Sequence, residues 1–306
     1  MSGARPERTA QERTPQVTGE LIATRRVGAY HHLTFVAPAV AELARPGQFV
    51  ALAVGGDTSA NLLRRCFSLH GASSIHQVRP SAGPGGTVDI VVAARGPGTR
   101  WLTGLRPQDE VSIIGPLGRP FPLPSEPVAT VLVGGGYGSA PLFWLATALR
   151  ERGCRVEMIL GAATKDRLFG VVEARSAADG VTVTTDDGSM GLKGWVSDVL
   201  PDVVRRSHAA VVYGCGPMAM LKAVTDVATA EGALAHVAVE ESMACGVGVC
   251  MTCVMPVVGD DGLTRMVRSC VEGPIFGGDR VRWDAFDNGW CQVPEDAHGA
   301  VAMGGH

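Results

Sequence analysis

The sequence has little net charge and lacks an apolar segment at its N-terminus. Its 27 lysines and arginines nearly balance 30 aspartates and glutamates, which leaves a net charge of −3. This balance does not indicate a nucleic-acid or membrane-surface partner. The first residues contain charges and proline where a signal peptide needs an apolar core. We therefore expect a cytoplasmic protein that binds neither nucleic acid nor membrane.

One apolar run is long enough to cross a bilayer. Residues 128–149 contain no charged side chain, and a run of that length can span a membrane as a helix. Its middle, however, contains four glycines and a proline that would break such a helix, namely Gly134, Gly135, Gly136, Gly138 and Pro141. The pattern instead predicts a buried strand, a glycine turn and a buried helix.

A chain of 306 residues exceeds one ordinary domain. Short β-type runs separated by glycine and proline predict an antiparallel β-barrel at 17–124. Strands alternating with helices predict a parallel α/β domain at 125–235. A small cysteine-bearing unit is expected at 236–286. Composition predicts a disordered tail at 1–16 and a loose tail at 287–306.

Buried strands of the α/β domain can be placed from continuous apolar runs. We expect them at 128–133, 155–160, 181–185 and 208–213, with a helix at 142–150 after the first. Such runs are typical of parallel strands that helices cover on both faces.

Four of the eight cysteines form a recognisable pattern. Without export, cysteines are kept reduced, which favours metal ligation over disulfides. Cys245, Cys250 and Cys253 form C-x4-C-x2-C, and Cys270 lies further along the chain. This is the ligand spacing of a plant-type [2Fe–2S] centre. The four cysteines are therefore predicted as cluster ligands.

Neighbouring residues also bear on this interpretation. Gly246 and Gly248 allow a tight loop whose N–H groups can point at cluster sulfur. Structural zinc sites usually pair their cysteines as two C-x2–4-C knuckles, and only Cys250 and Cys253 form one here. A zinc-stabilised docking module without a redox role, or cysteines without any ligand, remain as alternatives.

Two glycine turns, each between a strand and a helix, are candidate nucleotide sites. Such a turn lets backbone amides approach a pyrophosphate at a helix N-terminus. Ser139 stands where the third glycine of G-x-G-x-x-G belongs, so the first turn has a plain tight turn as its alternative interpretation. In the second turn, the alternative is that Cys215 only fills space. The turns comprise Gly134, Gly135, Gly136 and Gly138, and Gly214, Cys215, Gly216 and Pro217.

The predicted barrel contains candidate ligand-binding residues. Arg65 and Ser68 are three positions apart, so on an extended strand they project to opposite faces. An arginine suits a pyrophosphate, and a serine can hydrogen-bond a ring nitrogen. Gly98 and Thr99 form a further turn that could hold phosphate. Each fragment alone has a plain alternative as a charged strand end or a tight turn.

The order of these parts resembles the ferredoxin–NADP reductase superfamily: R-x-[YF]-S, G-x-G-T and G-P-L-G in a barrel, then G-G-x-G-x-A-P and C-G-P. With the appended cysteine unit and its C-x-x-G-P-[VI]-F segment, the chain resembles the electron-transfer subunits of type B dihydroorotate dehydrogenases. The likeness covers roughly 17–286. Phe67 stands where many members of the superfamily have tyrosine.

The resemblance implies FAD in the barrel, NAD(H) in the α/β domain and one [2Fe–2S] cluster. The implied FAD-binding residues are Arg65, Cys66, Phe67, Ser68, Val91, Val92, Ala93, Gly98 and Thr99. It also implies catalytic positions for Ser68, beside the flavin atom that exchanges hydride, and for Cys215, beside the nicotinamide. Lys165 and Arg167 could face a 2′-phosphate, so the residues alone do not choose between NAD and NADP.

The resemblance further implies a partner, an FMN-containing TIM-barrel subunit that oxidises dihydroorotate to orotate, in a heterotetramer of two of each chain. Electrons would pass from that FMN through the cluster and FAD to NAD+, in pyrimidine biosynthesis. The competing function is a flavin and iron–sulfur NAD(P)H reductase subunit that serves ferredoxin, hydrogenase or sulfur.

Overall fold

The computed structural model describes residues 14–56, 59–74, 86–287 and 290–298. Most of the two predicted tails lies outside these residues. Among the described residues, no helix is long and apolar enough to cross a membrane.

The N-terminal part is a closed antiparallel barrel of six strands. These are β1 (Gln16–Val27), β2 (Tyr30–Val36), β3 (Phe49–Leu52), β4 (Arg65–Ser73), β5 (Thr87–Val92) and β6 (Glu110–Leu117). They pair in the order β1-β2-β5-β4-β3-β6. In β6, Val111, Ile113 and Leu117 are buried and alternate with less buried neighbours, as expected for a strand with one face on a core. Two short helices, α1 (Pro38–Ala41) and α2 (Pro97–Thr103), connect the strands.

The second part is a sheet of seven strands with helices on both faces. The parallel strands are β7 (Ala129–Gly135), β8 (Arg155–Ala162), β9 (Gly180–Thr185), β10 (Leu192–Lys193), β11 (Val211–Cys215) and β12 (Leu234–Ala238). The helices are α3 (Ala140–Glu151), α4 (Val171–Ala177), α5 (Val196–Ser207) and α6 (Met218–Ala230). β7 is buried on both faces because separate apolar clusters cover them, which explains its continuous apolar sequence.

The cysteine-bearing segment is attached to this sheet. It contains β13 (Val254–Val258), β14 (Thr264–Arg268), β15 (Ile275–Gly277), β16 (Phe286–Asp287) and β17 (Trp290–Cys291). β13 pairs with β14, and β16 with β17. β15 pairs antiparallel with β12 and completes the order β10-β9-β8-β7-β11-β12-β15. Main-chain hydrogen bonds therefore join the cysteine-bearing segment to the α/β sheet.

The fold class predicted from the sequence is confirmed: an antiparallel barrel, a parallel α/β unit and a small C-terminal unit. The domain boundaries stay predictions, and β12 runs across the one placed at 235. The strand expected at 208–213 begins at Val211, because α5 continues to Ser207 and His208 closes it in the left-handed conformation, with φ of 52°. Within the predicted C-terminal tail, Asp296 forms an ion pair with Arg282.

Candidate functional site

Two adjacent arginines at the start of β4 have different surroundings. Arg64 donates hydrogen bonds to the carbonyl and hydroxyl of Ser112, at 2.8 and 3.0 Å, and so fastens β4 to β6. Arg65 donates to the carbonyl of Leu63 at 2.6 Å and lines a cavity. Arg64 therefore serves the barrel, and Arg65 is the arginine that faces a ligand space.

The cavity beside Arg65 has a volume of about 380 Å³ and lies between the barrel and the α/β unit. The barrel contributes consecutive residues of β4, and the α/β unit contributes the ends of both glycine turns. Ser68 and Cys215, predicted from opposite parts of the chain, both line it. The lining from the predicted site comprises Arg65, Cys66, Phe67, Ser68, Val91, Gly138 and Cys215.

The remaining predicted barrel residues have different positions. Val92 is fully buried in the barrel core, because successive side chains of a strand point to opposite faces. Ala93 packs at the edge of the α/β core. A Cβ on Gly98 would lie 3.2 Å from Nε of Arg65, so this turn packs against that arginine. The hydroxyl of Thr99 accepts hydrogen bonds from the amides of Arg95 and Gly96 at 2.9 Å and closes the turn itself.

The two glycine turns pack directly on one another. β7 and β11 are neighbouring strands, and Cys215 pairs with Gly134. A Cβ on Gly138 would lie 2.9 Å from the carbonyl oxygen of Cys215, and one on Gly135 would lie 2.9 Å from Pro217. Side chains at these glycines would force the turns apart. The close contact of the two turns is thus a structural reason for the glycines, in addition to access for a nucleotide.

Ser139, which departs from the dinucleotide pattern, is buried and hydrogen-bonded. Its hydroxyl donates to the carbonyl of Gly136 at 2.9 Å. A Cβ on Gly134 would lie 2.5 Å from the Cβ of Ser139, so the two residues are in close contact. The serine therefore adds a side-chain hydrogen bond within the first turn, which a third glycine could not form.

A second, larger cavity of about 660 Å³ lies next to the first, over the carboxyl ends of the parallel strands. Gly135, Gly136 and Pro217 line it, and so does Arg167. Gly134, Gly214 and Gly216 line neither of these two cavities. Carboxyl strand ends are the usual ligand position of such sheets.

Tyr137 and Glu240 line both cavities and therefore stand at their junction. The Arg95 guanidinium lies 5.2 Å from the centre of the Tyr137 ring. Burial raises the pKa of Glu240, and the charge of Arg95 opposes that shift. Burial, and next the charge of Glu240, raises the pKa of the Cys215 thiol. Cys215 is thus an uncharged thiol at neutral pH, beside the junction.

The loop that carries three of the predicted ligands wraps around the sulfur of Cys245. The backbone amides of Val247, Val249 and Cys250 point at this sulfur from 3.4, 3.3 and 3.5 Å. Gly246 and Gly248 have φ of 72° and 82°, which favours glycine at both positions. Several amides directed at one sulfur suit a thiolate ligand, because they stabilise its negative charge. The donor chemistry of the loop therefore fits an iron–sulfur cluster.

The same loop contacts the flavin-side cavity through Cys66. A Cβ on Gly246 would lie only 2.9 Å from the Cys66 sulfur. Burial, followed by the negative charge of the nearby Cys245, Cys253 and Cys250 sulfurs when ionised, raises the pKa of Cys66 to about 12. Cys253 and Cys270 are buried against Phe49 in the same apolar cluster. Cys66 thus lines the cavity and also touches the cysteine loop.

The four predicted ligands are neighbours, but they do not form a closed ligand set. Cys253 and Cys270 are each 2% exposed, whereas Cys250 is exposed. Within the described ranges, no three His, Cys, Asp or Glu side chains are placed to hold a single metal ion. The assignment of Cys245, Cys250, Cys253 and Cys270 as cluster ligands stays a prediction.

Sequence reasoning missed the residues at the junction of the cavities. Tyr137 lies inside the first glycine turn, and Glu240 lies in the predicted cysteine-bearing unit, before Cys245, so both belonged to segments already singled out. Neither has a recognisable spacing to the other. They meet because Tyr137 follows β7 and Glu240 follows β12, and the sheet order β7-β11-β12 places both strand ends at one edge.

The comparisons with known proteins concern most of the chain. Residues 240–282 match the family model described as the iron–sulfur cluster binding domain of dihydroorotate dehydrogenase B. The electron transfer subunit of dihydroorotate dehydrogenase B (NAD(+)) from Geobacillus thermodenitrificans is 39% identical over 269 residues, which is 87% of this chain and 96% of the relative. The subunit of the same name from Desulforamulus reducens is 35% identical, over 83% of this chain and 93% of the relative.

A solved structure is also similar to this chain over most of its length. It is an NADH-dependent reduced ferredoxin–NADP oxidoreductase, studied for flavin-based electron bifurcation. Its chain is 31% identical to this one and superposes with a TM-score of 0.73, covering 87% of this chain and 90% of the other.

Proposed function

Since the chain belongs to the family of electron-transfer subunits of dihydroorotate dehydrogenase B (NAD(+)), its function is electron transfer for that oxidoreductase, and we propose how its residues divide the work. The cofactors of this function are FAD, a [2Fe–2S] cluster and NAD(H). When bound, FAD exchanges a hydride with NAD(H) and single electrons with the cluster. The chain supplies binding, orientation and the exclusion of water.

One observation carries this proposal: three predicted sites adjoin one another in a single order. The larger cavity meets the smaller one at Tyr137 and Glu240. The smaller cavity meets the cysteine loop at Cys66 and Gly246. The order supports NAD(H) in the larger cavity, the flavin in the smaller one and the cluster within the loop.

Residues on the flavin side would hold the ligand as follows. Arg65 would neutralise the pyrophosphate, because its guanidinium faces the cavity while Arg64 is bonded to Ser112. Ser68 would hydrogen-bond the ring near the atom that exchanges hydride. Cys215 would lie beside the nicotinamide and, as a neutral thiol, would add no charge there.

The second dinucleotide would be NAD(H) rather than NADP(H). Of the two basic residues noted in the sequence, Arg167 lines the larger cavity, and Asp186 lines it as well. A carboxylate in this cavity would repel a 2′-phosphate. The names of the relatives, which specify NAD(+), support the same choice.

The partner would be an FMN-containing TIM-barrel subunit that oxidises dihydroorotate in pyrimidine biosynthesis, in a cytoplasmic heterotetramer of two of each chain. The word subunit in the names of the relatives supports a partner. Val247, Val249 and Met251 surround Cys250 and are exposed, Val249 to 80%. Apolar side chains exposed around a ligand loop suit a surface that a second subunit covers.

A second candidate is a flavin and iron–sulfur reductase subunit that serves ferredoxin, hydrogenase or sulfur. The 31% identical ferredoxin–NADP oxidoreductase structure supports it. A zinc docking module is less consistent with the family model of the cysteine segment, which describes an iron–sulfur domain.

Co-purification with the candidate catalytic chain, followed by an assay of dihydroorotate-dependent NAD+ reduction, tests the proposal. We expect a stable complex that forms NADH from dihydroorotate, whereas the catalytic chain alone forms none. A chain that binds no such partner but reduces ferredoxin with NADH would instead support the second candidate.

A further inference from the structure

Two partly buried histidines lie where the barrel packs on the α/β unit. His70 on β4 and His32 on β2 have ring centroids 5.0 Å apart in a T-shaped arrangement. The rings of Phe143 on α3 and Phe169 pack edge-on against His70, at 5.7 and 5.8 Å. The His70 side chain is only 10% exposed. A histidine buried to this degree among aromatic rings needs polar partners.

Both ring nitrogens of His70 face acceptors of the α/β unit. Nδ1 lies 2.7 Å from the carbonyl oxygen of Ala140, and Nε2 lies 3.4 Å from Oε1 of Glu173 on α4. A neutral imidazole carries only one N–H, so acceptors at both nitrogens favour the doubly protonated ring. His70 therefore connects β4 to α3 and α4 in its charged form.

The connected elements are those that carry the proposed cofactor sites. His70 follows Ser68 by two residues on β4, and Ala140 follows Gly138 by two residues at the start of α3. Ser68 and Gly138 both line the smaller cavity. A change in the contact between His70 and Ala140 would thus alter the distance across this cavity.

We propose that His70 is a positioning residue that holds β4 against α3 and α4 and thereby sets how the nicotinamide meets the flavin. The inference rests on the proposed function and deepens it. His70 touches neither cofactor site itself. It acts through the strand of Ser68 and the turn of Gly138.

The charged groups around His70 predict a direction of pH dependence. Burial alone would lower the pKa of His70, but the hydrogen bond and charge of Glu173, the hydrogen bond to the Ala140 carbonyl and the charge of Asp89 outweigh it and raise that pKa. Asp89 on β5 also lies 3.1 Å from Nε2 of His32 and accepts a hydrogen bond from Thr34. A histidine whose pKa is raised on folding stabilises the fold below its unfolded pKa. This contribution is lost as the pH rises through the pKa in the folded chain.

The test is the pH profile of kcat/KM for NADH in the cofactor-loaded chain, with an artificial two-electron acceptor. We expect kcat/KM of the wild type to fall as the pH rises through the His70 titration. In His70→Asn, whose amide can still donate to Ala140, this fall should be absent. In Glu173→Gln it should move to lower pH. His208→Asn, a change at an exposed position where φ of 52° suits asparagine, should keep the wild-type profile.

His70→Leu removes both polar contacts and should lower kcat/KM for NADH by about tenfold or more while FAD stays bound. The same inflection in His70→Asn as in the wild type would overturn the proposal, and so would an unchanged kcat/KM in His70→Leu. If His70→Leu does not fold, His70→Asn and Glu173→Gln decide the question. A wild type that binds FAD but does not oxidise NADH would contradict the proposed function instead.

Discussion

Two functional regions of the molecule are built in opposite ways. One is the contact between the barrel and the α/β unit, called the joint below, and the other is the cysteine loop. The joint is closed by buried side chains: Tyr213 donates to the carbonyl of Pro122 at 2.8 Å, and Tyr30 donates to the carbonyl of Arg167 at 2.9 Å. The loop from Cys245 to Cys253 contains no helix or strand in the described residues. Side-chain contacts between strands and helices therefore form the two cavities, whereas backbone amides directed at the Cys245 sulfur shape the cysteine loop.

Replacing Cys250 with serine should break the loop and spare the joint. We expect the cluster to assemble poorly, and dihydroorotate-dependent NAD+ reduction by the complex to fall on the order of 100-fold or more. NADH oxidation by an artificial two-electron dye should survive, because it uses the two cavities. Cys291→Ser, at a cysteine outside the predicted ligand set, should keep both activities. Equal loss of both activities in Cys250→Ser would contradict the separation of the two regions.

Replacing Arg65 with alanine should have the converse effect. Loss of a charge-assisted hydrogen bond costs roughly 1.5–3 kcal/mol, or about one to two decades in FAD affinity. The loss of FAD affinity is measured by the fraction of FAD that Arg65→Ala retains through dilution and gel filtration. Arg64→Ala is the control: it should weaken the barrel, because it removes the bonds to Ser112, but leave FAD affinity near the wild-type value. Weakened FAD binding in Arg64→Ala together with unchanged FAD binding in Arg65→Ala would show that Arg64 holds the pyrophosphate instead.

The contact between the two regions can be probed at Gly246. Alanine at Gly246 would adopt φ of 72° and place its Cβ 2.9 Å from the Cys66 sulfur. Alanine at Gly262, with φ of 77°, meets nothing within 4 Å. Both changes carry backbone strain of roughly 1–2 kcal/mol, and Gly246→Ala should cost about 1–3 kcal/mol more from overpacking. Denaturant unfolding and iron content measure the difference. An equal loss of unfolding free energy in the two variants would show that the Cys66 side chain moves aside without cost.

The smallest effect is expected inside the joint. Tyr213→Phe removes the hydrogen bond to Pro122 and should lower the free energy of unfolding by about 1 kcal/mol. Iron content should not change, because the Tyr213 hydroxyl bonds to Pro122 and its ring packs on Phe121 and His236, away from the four predicted ligands in sequence. A loss of iron in this variant would mean that the two regions are coupled more tightly than their separate packing indicates.

The parts that sequence reasoning predicted well are local in the chain. The C-x4-C-x2-C loop and both strand–turn–helix units are read within about ten residues, so spacing and glycine placement sufficed. The barrel and the parallel sheet followed from apolar runs and turn residues in the same way. His208 was placed in a strand, because its position as the residue that closes α5 after Ser207 is determined by backbone conformation and not by its side chain.

The parts that the sequence left open are relations between distant segments. The R-x-[YF]-S pattern selects Arg65, but the reason that Arg64 does not face the ligand, its bond to Ser112 on another strand, is not local. Tyr137 and Glu240 share a cavity wall because β7 and β12, the strands that precede them, lie on either side of β11 in the sheet. The His70 contacts likewise join positions 70 residues apart.

The most direct test of the central claim is whether NADH reduces the cluster within this chain alone. The cofactor-loaded chain would be mixed with NADH without oxygen and followed by electron paramagnetic resonance. The account predicts the signal of a reduced [2Fe–2S] cluster in the wild type, and its loss when FAD has been stripped from Arg65→Ala. A flavin that NADH reduces while no cluster signal appears would contradict the order of nicotinamide, flavin and cluster proposed for this protein.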